Sequence, residues 1–218
     1  MKKEMILCCR NSDINEYIRG FGFIKTDNDE SDKILSKLKD LMWIGPRHLL
    51  EEMSEFRQII PYCVLSNSEG KVLSYERNNK TGEKRLHGFK SIGFGGHVNG
   101  IDVIRRSDVL EITEDLDYCI DRELNEELKL IKSDSRDYNI TDFIHDQYCV
   151  GFIKLCETLV DSVHIGFVYE LRVIYSDNFK IKPVKSEGIS NLEWLTLDQL
   201  KQNIDQYENW SKEVINNL

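Results

Sequence analysis

Short apolar runs separated by polar segments recur along the chain, and their composition predicts β-strands. The clearest runs are Met5–Cys9, Ile59–Leu65, Lys71–Arg77, Asp146–Cys156 and Val163–Ile174. The last run is nearly continuously apolar from Val163 to Glu170, which is typical of a strand buried on both faces. Ser66–Gly70 is rich in turn residues and predicts a hairpin, and a second hairpin is expected around Thr158–Ser162.

Helical spacing of apolar residues occurs between these strands. We expect a helix over Ser31–Trp43, and Pro46 is suited to start a further helix that includes His48–Phe56. The longest helical pattern covers Glu114–Leu130, and residues 197–217 predict one or two more helices. The chain therefore mixes strands and helices along its whole length.

Composition places the chain among ordinary globular proteins. It has 218 residues, of which 40% are hydrophobic and 31% charged, enough for one core or one domain with an extension. No apolar stretch approaches the roughly 18 residues that span a bilayer. The net charge of -9 argues against nucleic-acid or anionic-membrane partners. A polyphosphate substrate would need a metal ion and local arginines.

The cysteines indicate a reducing compartment. They stand at positions 8, 9, 63, 119, 149 and 156, mostly in apolar segments and without a Cys-x-x-Cys pair. We therefore expect reduced thiols in a cytoplasmic protein. The N-terminal sequence MKKEMILCCRNSD has only a short apolar run, so we expect a first strand there and not a signal peptide.

An acidic edge is predicted on the longest helix. Glu123, Glu126 and Glu127 are three and four positions apart, so a helix brings them to one side. The adjoining apolar stripe comprises Ile120, Leu124, Leu128 and Ile131. Three close carboxylates repel one another unless a cation lies between them, and Mg²⁺ or Mn²⁺ suits an all-oxygen site. The alternative is an ordinary solvated helix face.

The surroundings of this edge resemble the Nudix hydrolase family. The family box reads Gly, five residues, Glu, seven residues, then Arg-Glu-U-x-Glu-Glu-x-Gly-U, where U is a bulky apolar residue. Glu114 and Arg122–Leu130 match in register, except that Lys129 replaces the glycine. Upstream lies the glycine-rich run Gly93–His97. Seventeen residues separate Gly96 from Glu114, so this chain carries a twelve-residue insertion within Val98–Thr113.

The resemblance covers most of the chain and implies its fold. The family fold is an α/β/α sandwich with a mixed sheet, in which the box helix and the C-terminal helix lie on opposite sides. We expect residues 59–218 to form this domain and residues 1–58 to form an N-terminal α/β extension packed on it. The extension is suited to be a cap or part of a homodimer interface, and the sequence leaves both open.

The resemblance also implies the reaction and its residues. Water would attack a phosphoanhydride in a diphosphate linked to another group. Glu123, Glu126 and Glu127 would bind Mg²⁺ or Mn²⁺, together with Glu187 and the Gly96 carbonyl. Glu123 or Glu187 would act as the general base, and Arg122 would position the acids.

The resemblance further indicates substrate-binding residues. Arg77, at the end of a predicted strand, is suited to bind phosphate oxygens, although an exposed strand-end charge is the alternative. Arg85 is a weaker candidate for the same role, and His97 is suited to contact the substrate. Bacterial phosphoesterases of this family share runs such as Ser91–His97, which suggests a small-molecule nucleotide.

Two other functions fit parts of the pattern. A non-catalytic Nudix-like module that binds a nucleotide would usually lose box acids, and all are present here. An isoprenoid diphosphate isomerase of the same fold would need a catalytic cysteine and a second acid. Cys63 and Cys119 lie in predicted core segments, so that pair is not found.

Overall fold

The structure is a computed structural model that describes residues 4–78, 88–103, 105–106, 109–110, 112–184 and 188–218. The strands are β1 (Met5–Arg10), β2 (Gly22–Lys25), β3 (Met42–Pro46), β4 (Phe56–Ser66), β5 (Val72–Arg77), β6 (Lys90–Ser91), β7 (Gly93–Phe94), β8 (Arg105–Arg106), β9 (Val109–Leu110), β10 (Leu128–Lys132), β11 (Asp137–Asn139), β12 (Ile144–Lys154), β13 (His164–Val173), β14 (Phe179–Pro183) and β15 (Ile189–Leu195).

Helices connect these strands. They are α1 (Asn11–Tyr17), α2 (Asn28–Leu38), α3 (Arg47–Leu50), α4 (Ile112–Glu127), α5 (Leu159–Val163), α6 (Leu197–Gln202) and α7 (Asn209–Asn217), with short 3₁₀ turns at Lys39–Leu41, Ile140–Phe143 and Ile204–Gln206. Across the described ranges, no helix has the combined length and apolar character of a membrane span.

The chain forms two compact units, and the first comprises Met1–Tyr62, Gly95–Ile120 and Cys149–Tyr169. In this unit β1 pairs antiparallel with both β3 and β4, and Cys9 lies opposite Arg57 in the second pair. β2 pairs antiparallel with β12. The first half of β13 is buried continuously from Ile165 to Tyr169, as its apolar run predicts.

The predicted helices in residues 31–56 are wrong in part. The helix α2 begins earlier, because the Asp27 side chain accepts a hydrogen bond from the Glu30 N–H and caps it. Met42–Pro46 is the strand β3, because pairing with β1 outweighs the local helical spacing. The next helix, α3, covers only Arg47–Leu50, and β4 already begins at Phe56.

The second unit comprises Cys63–Phe94, Asp121–Tyr148 and Glu170–Leu218. In it, β5 pairs antiparallel with β15 and β6, and β4 pairs with β7. A separate three-stranded sheet has the order β11-β10-β14. The C-terminal segment forms α6 and α7, which confirms the prediction of one or two helices. A capping box of Thr196 and Gln199 starts α6.

The predicted helix end at Leu130 is wrong. The helix α4 stops at Glu127, and β10 begins at the next residue. Leu128 and Leu130 are both fully buried while Lys129 between them is half-buried, which is the alternation of a strand. Lys129 pairs with Lys182 of β14. The residue that replaces the family glycine is therefore part of a sheet.

The predicted domain boundary after residue 58 stays a proposal.

All six cysteines are free thiols, and Cys156 alone among them is exposed.

Candidate active site

The helix α4 carries the acidic edge. Leu124 is fully buried on the apolar side of the helix, which fixes the rotation of the helix about its axis. On the other side, the Glu123 side chain is 16% exposed and the Glu126 side chain is 55% exposed. The edge thus runs from a sheltered carboxylate to an open one.

Arg122 neutralises part of this edge. Its Nη1 donates to Glu123 Oε1 at 2.7 Å and to Glu126 Oε2 at 3.4 Å. One nitrogen therefore bridges two carboxylates one helical turn apart, and the contact is not a bidentate clamp on either acid. A positive charge already lies between two of the three acids.

The donor set suits a hard cation, although the acids do not converge. Across the described residues, no group of three His, Cys, Asp or Glu side chains is arranged to hold a metal ion. Glu123 is turned toward Arg122, whereas Glu126 is largely exposed. The oxygen chemistry of the edge fits Mg²⁺ or Mn²⁺, and the side chains would have to turn toward the ion.

The last residue of α4 is tied to the segment that precedes Glu187. The backbone N–H of Val184 donates to the Glu127 carbonyl at 2.8 Å. On the other side of Glu187, the N–H of Asn78 donates to the Gly188 carbonyl at 2.8 Å. Glu187 itself lies outside the described residues. Its two flanks are anchored beside Glu127 and beside the end of β5.

Arg77 is a paired and mostly buried residue, not an exposed strand-end charge. Its side chain is 22% exposed, and its Nε lies 3.3 Å from Glu208 Oε2. Its Nη2 donates to Glu208 Oε1 at 3.5 Å. The guanidinium also lies over the Tyr75 ring, 5.5 Å from the centroid, which is cation–π distance.

The charge of Arg77 is secured by its surroundings. Burial lowers the pKa of Arg77, but the phenol of Tyr75 and the carboxylates of Glu208 and Glu127 outweigh it and raise the pKa above the ordinary arginine value. Glu127 of the acidic edge thus contributes to the electrostatic field at Arg77. A cation for phosphate and an acid for metal lie in the same unit.

Sequence reasoning missed Glu208. This residue is 131 positions from Arg77 and directly precedes α7. From the sequence alone it is an ordinary acidic residue at the start of a helix. Its carboxylate accepts a hydrogen bond from Ser91 Oγ at 2.5 Å and another from Ser211 Oγ at 3.4 Å. No local pattern links Glu208 to Arg77 and Ser91, which are 131 and 117 positions away in sequence.

Gly95 shows why this run needs glycine. Its φ is +137°, and a Cβ added there would lie 2.2 Å from the Pro61 carbonyl oxygen. No other residue fits that close approach. Gly96 follows it in the first unit.

His97 contacts two side chains of the first unit. Its Nε2 lies 2.8 Å from Gln58 Oε1 and 3.2 Å from His164 Nε2. Because His164 Nδ1 is 2.8 Å from the Val160 carbonyl, Nδ1 carries the proton and His164 Nε2 is an acceptor. His97 Nε2 is then the donor. Burial, followed by Arg47 and His164, lowers the pKa of His97 well below its usual value.

Arg85 lies outside the described residues. Part of the insertion is described, and it begins against β1. The N–H of Leu7 donates to the Val98 carbonyl at 2.8 Å, and the N–H of Gly100 donates to the Met5 carbonyl at 2.8 Å. The start of the insertion and the N-terminal strand are therefore bound to each other.

The two cysteines considered for an isomerase are core residues. Cys63 and Cys119 are fully buried, and Cys119 Sγ lies 3.5 Å from the His97 carbonyl oxygen. Full burial is typical of an inert structural thiol.

Comparisons with known proteins identify the family and the fold of the chain. The family model described as NUDIX domain matches residues 57–218. The chain is 30% identical over 218 residues to Protein YmaB of Bacillus subtilis (strain 168), covering 99% of this chain and 97% of that protein. It is similar in structure to Tm1382, a candidate Nudix hydrolase, with a TM-score of 0.72 and 23% identity over 98% of this chain and 97% of that one.

The chain belongs to the Nudix family. The structural likeness confirms the predicted fold class, α/β with a large mixed sheet and helices. The family defines its class of enzyme, a Nudix-type pyrophosphohydrolase.

Proposed function

We propose that this enzyme hydrolyses a nucleoside diphosphate linked to another group, by attack of water on the phosphoanhydride, with Mg²⁺ or Mn²⁺ as cofactor. The observation that carries the proposal is that Arg77 and the acidic edge of α4 belong to the same compact unit, where Glu127 is one of the carboxylates that help to raise the pKa of Arg77. A metal-bound diphosphate needs both an acid cluster and a nearby phosphate-binding cation.

The carboxylates of Glu123, Glu126 and Glu127 would hold the ion. A bound divalent ion supplies charge compensation for the phosphates and lowers the pKa of the attacking water. The bridge from Arg122 to Glu123 and Glu126 supports this assignment, because the two carboxylates already share one positive charge.

The protein's own groups divide the remaining work. Arg77 binds phosphate oxygens, and Arg122 orients Glu123. Glu123 or Glu187 takes the proton from water. The backbone hydrogen bonds of Val184 and Gly188, the described residues on either side of Glu187, support the choice of Glu187 as a candidate.

Several roles rest on the resemblance alone. They are the Gly96 carbonyl as metal ligand and Arg85 and His97 as substrate-binding residues. A homodimer, expected from the N-terminal extension, and a cytoplasmic location, expected from the cysteines, are also proposals.

A substrate panel tests the proposal. Phosphate-containing products are measured from nucleoside di- and triphosphates, sugar nucleotides and dinucleotide polyphosphates, with Mg²⁺ or Mn²⁺ and with chelator. We expect one class to be cleaved only with metal, and Glu127→Gln to lose activity by about 100-fold or more, the size seen when one charge-stabilising group is removed.

Asp121→Asn is the matched control, because it removes a charge from another side of the same helix. It should keep normal activity. Full activity in Glu127→Gln would contradict the mechanism. No turnover of any class, with tight nucleotide binding retained, would identify a non-catalytic regulatory module instead.

A further inference from the structure

Glu208 is a carboxylate that solvent hardly reaches. Its side chain is 7% exposed, compared with 22% for its partner Arg77. A buried charge is costly unless it is paired and hydrogen-bonded. Arg77 supplies the opposite charge through Nε and Nη2, which lie 3.3 and 3.5 Å from the two carboxylate oxygens.

Two serines fix the position of this carboxylate. Ser91 Oγ and Ser211 Oγ both donate to Glu208 Oε1. Each hydroxyl also accepts a backbone hydrogen bond, from the N–H of Gly93 to Ser91 and from the N–H of Ile92 to Ser211, both at 3.1 Å. Glu208 is therefore tied to the backbone through the two serines, which contact the same oxygen, Oε1, as Arg77 Nη2, and its movement with the arginine is restricted.

The backbone around Glu208 is tied to the same strands. The N–H of Glu208 donates to the Lys90 carbonyl at 3.0 Å. Tyr207, next to it, is 2.9 Å from Ser74 through its hydroxyl, with Ser74 in the strand that carries Arg77. The carboxylate is thus fixed relative to the backbone of β5.

Glu208 leaves part of the donor capacity of Arg77 unused. Nη2 donates to Glu208 Oε1, and Nε lies at ion-pair distance from Oε2 without a hydrogen bond. Among the described residues Nη1 makes no hydrogen bond, and the Tyr75 ring covers one face of the guanidinium. A guanidinium has five N–H donors in a fixed fork, so fixing one edge also aims the other. A buried ion pair is weak evidence for a role in stability.

We infer that Glu208 is a positioning residue for the substrate: with Ser91 and Ser211 it holds Arg77 so that the Nη1 edge binds the diphosphate. The inference rests on the proposed function, because it concerns how the same site holds its substrate. Without the Glu208 charge, the guanidinium would sample other rotamers, and each binding event would have to order it again.

The inference predicts a specific kinetic signature. Arg77 contacts phosphate oxygens in both ground state and transition state, so the loss falls on KM and leaves kcat nearly unchanged. We expect Glu208→Gln to raise KM by about tenfold, the equivalent of one weakened charge-assisted contact. A purely structural role would instead lower the unfolding temperature and the active fraction, with KM unchanged.

A double mutant isolates the route through Arg77. If Glu208 acts only by holding this arginine, Glu208→Gln should add no further rise in KM to Arg77→Gln. The double variant also removes both charges together, so it leaves no uncompensated buried carboxylate. Asp205→Asn, an exposed acid three residues away, is the charge-matched control with unchanged KM.

Calorimetric binding of inorganic pyrophosphate with Mg²⁺ separates this inference from the proposed function. Weaker binding by folded Glu208→Gln than by wild type supports the inference even if wild type hydrolyses nothing in the panel. Equal binding and equal KM in a folded Glu208→Gln variant would overturn it while the hydrolase proposal stands. Additive effects of Glu208→Gln and Arg77→Gln on KM would also overturn it.

Discussion

Arg57 in the first unit and Arg77 in the second are both largely shielded from solvent, and they have partners of different kinds. In the first unit Arg57 is 2% exposed, and its Nε donates to Asn11 Oδ1 at 2.9 Å. Its Nη1 donates to three backbone carbonyls at 2.7 to 3.1 Å, those of His164, Asp161 and Leu155. Arg57 is therefore held almost entirely by neutral acceptors. In the second unit Arg77 is held by a carboxylate.

The difference shows in the charge balance of the two sites. Burial lowers the pKa of Arg57, only partly offset by Cys156 and Asp161. At Arg77 the anionic neighbours outweigh burial and raise the pKa. Arg57 donates to carbonyls of the connection between β12 and β13, whereas we propose that Arg77 binds a ligand through Nη1, which makes no hydrogen bond among the described residues. Burial alone therefore does not tell a structural arginine from a functional one.

The largest expected effect comes from removing Arg57. Arg57→Met leaves three buried carbonyls and Asn11 without their donor, so we expect the free energy of unfolding to fall by about 3–5 kcal/mol. Urea unfolding measures this loss. The activity of each folded molecule should be unchanged. A rise in KM without a loss of stability would contradict the structural role of Arg57 and its contrast with Arg77.

A smaller effect concerns the strand opposite Arg57. Burial raises the pKa of Cys8 and of Cys9 to about 12 from 9.0. The folded state keeps both thiols protonated, whereas the unfolded chain ionises them as the pH rises above 9. The contribution of the two thiols to the free energy of unfolding is therefore complete below pH 9 and is lost as the pH rises toward 12. Between pH 8 and pH 10 we expect a loss of about 1.4 kcal/mol for each thiol.

Urea unfolding under reducing conditions at the two pH values measures it. The Cys8→Ala, Cys9→Ala double variant should lose correspondingly less stability over the same interval. An identical pH dependence in wild type and double variant would contradict the assignment.

The smallest effect is expected from replacing each of the two arginines by lysine. Arg77→Lys keeps the charge near Glu208 but loses the fork, so pyrophosphate affinity should fall by about tenfold, or about 1.4 kcal/mol, with little change in unfolding. Arg57→Lys should do the reverse, destabilising the fold and leaving affinity intact. Calorimetry measures the pyrophosphate affinity and urea unfolding measures the stability of the two variants. If both variants lost affinity and stability to the same extent, the contrast between Arg77 and Arg57 would be wrong.

The sequence predicts the acidic edge because its members are local. Glu123, Glu126 and Glu127 need only a helix to come together, and the box spacing identifies them. The partner of Arg77 was not predictable in this way. Glu208, at the start of α7, reaches Arg77 only in the folded chain, where Ser91 also donates to its carboxylate. Long-range contacts of this kind leave no periodic signal.

The same reason explains the errors in secondary structure. Met42–Pro46 has apolar spacing that also suits a helix, and only its pairing with β1 decides for a strand. At the end of α4, Leu128 continues the apolar stripe of the helix, yet it pairs with Pro183 of β14. Local pattern predicted these elements well where no distant strand competed.

The abrupt change from helix to strand after Glu127 has a consequence for motion. Helix ends fray in most proteins, and this helix carries its acids in the last turns. Here the residue after Glu127 is already paired in a three-stranded sheet, and the Glu127 carbonyl accepts a hydrogen bond from the Val184 N–H. The amides of 128–132 should therefore exchange with deuterium slowly, and the acidic edge lies at the stiff end of its helix.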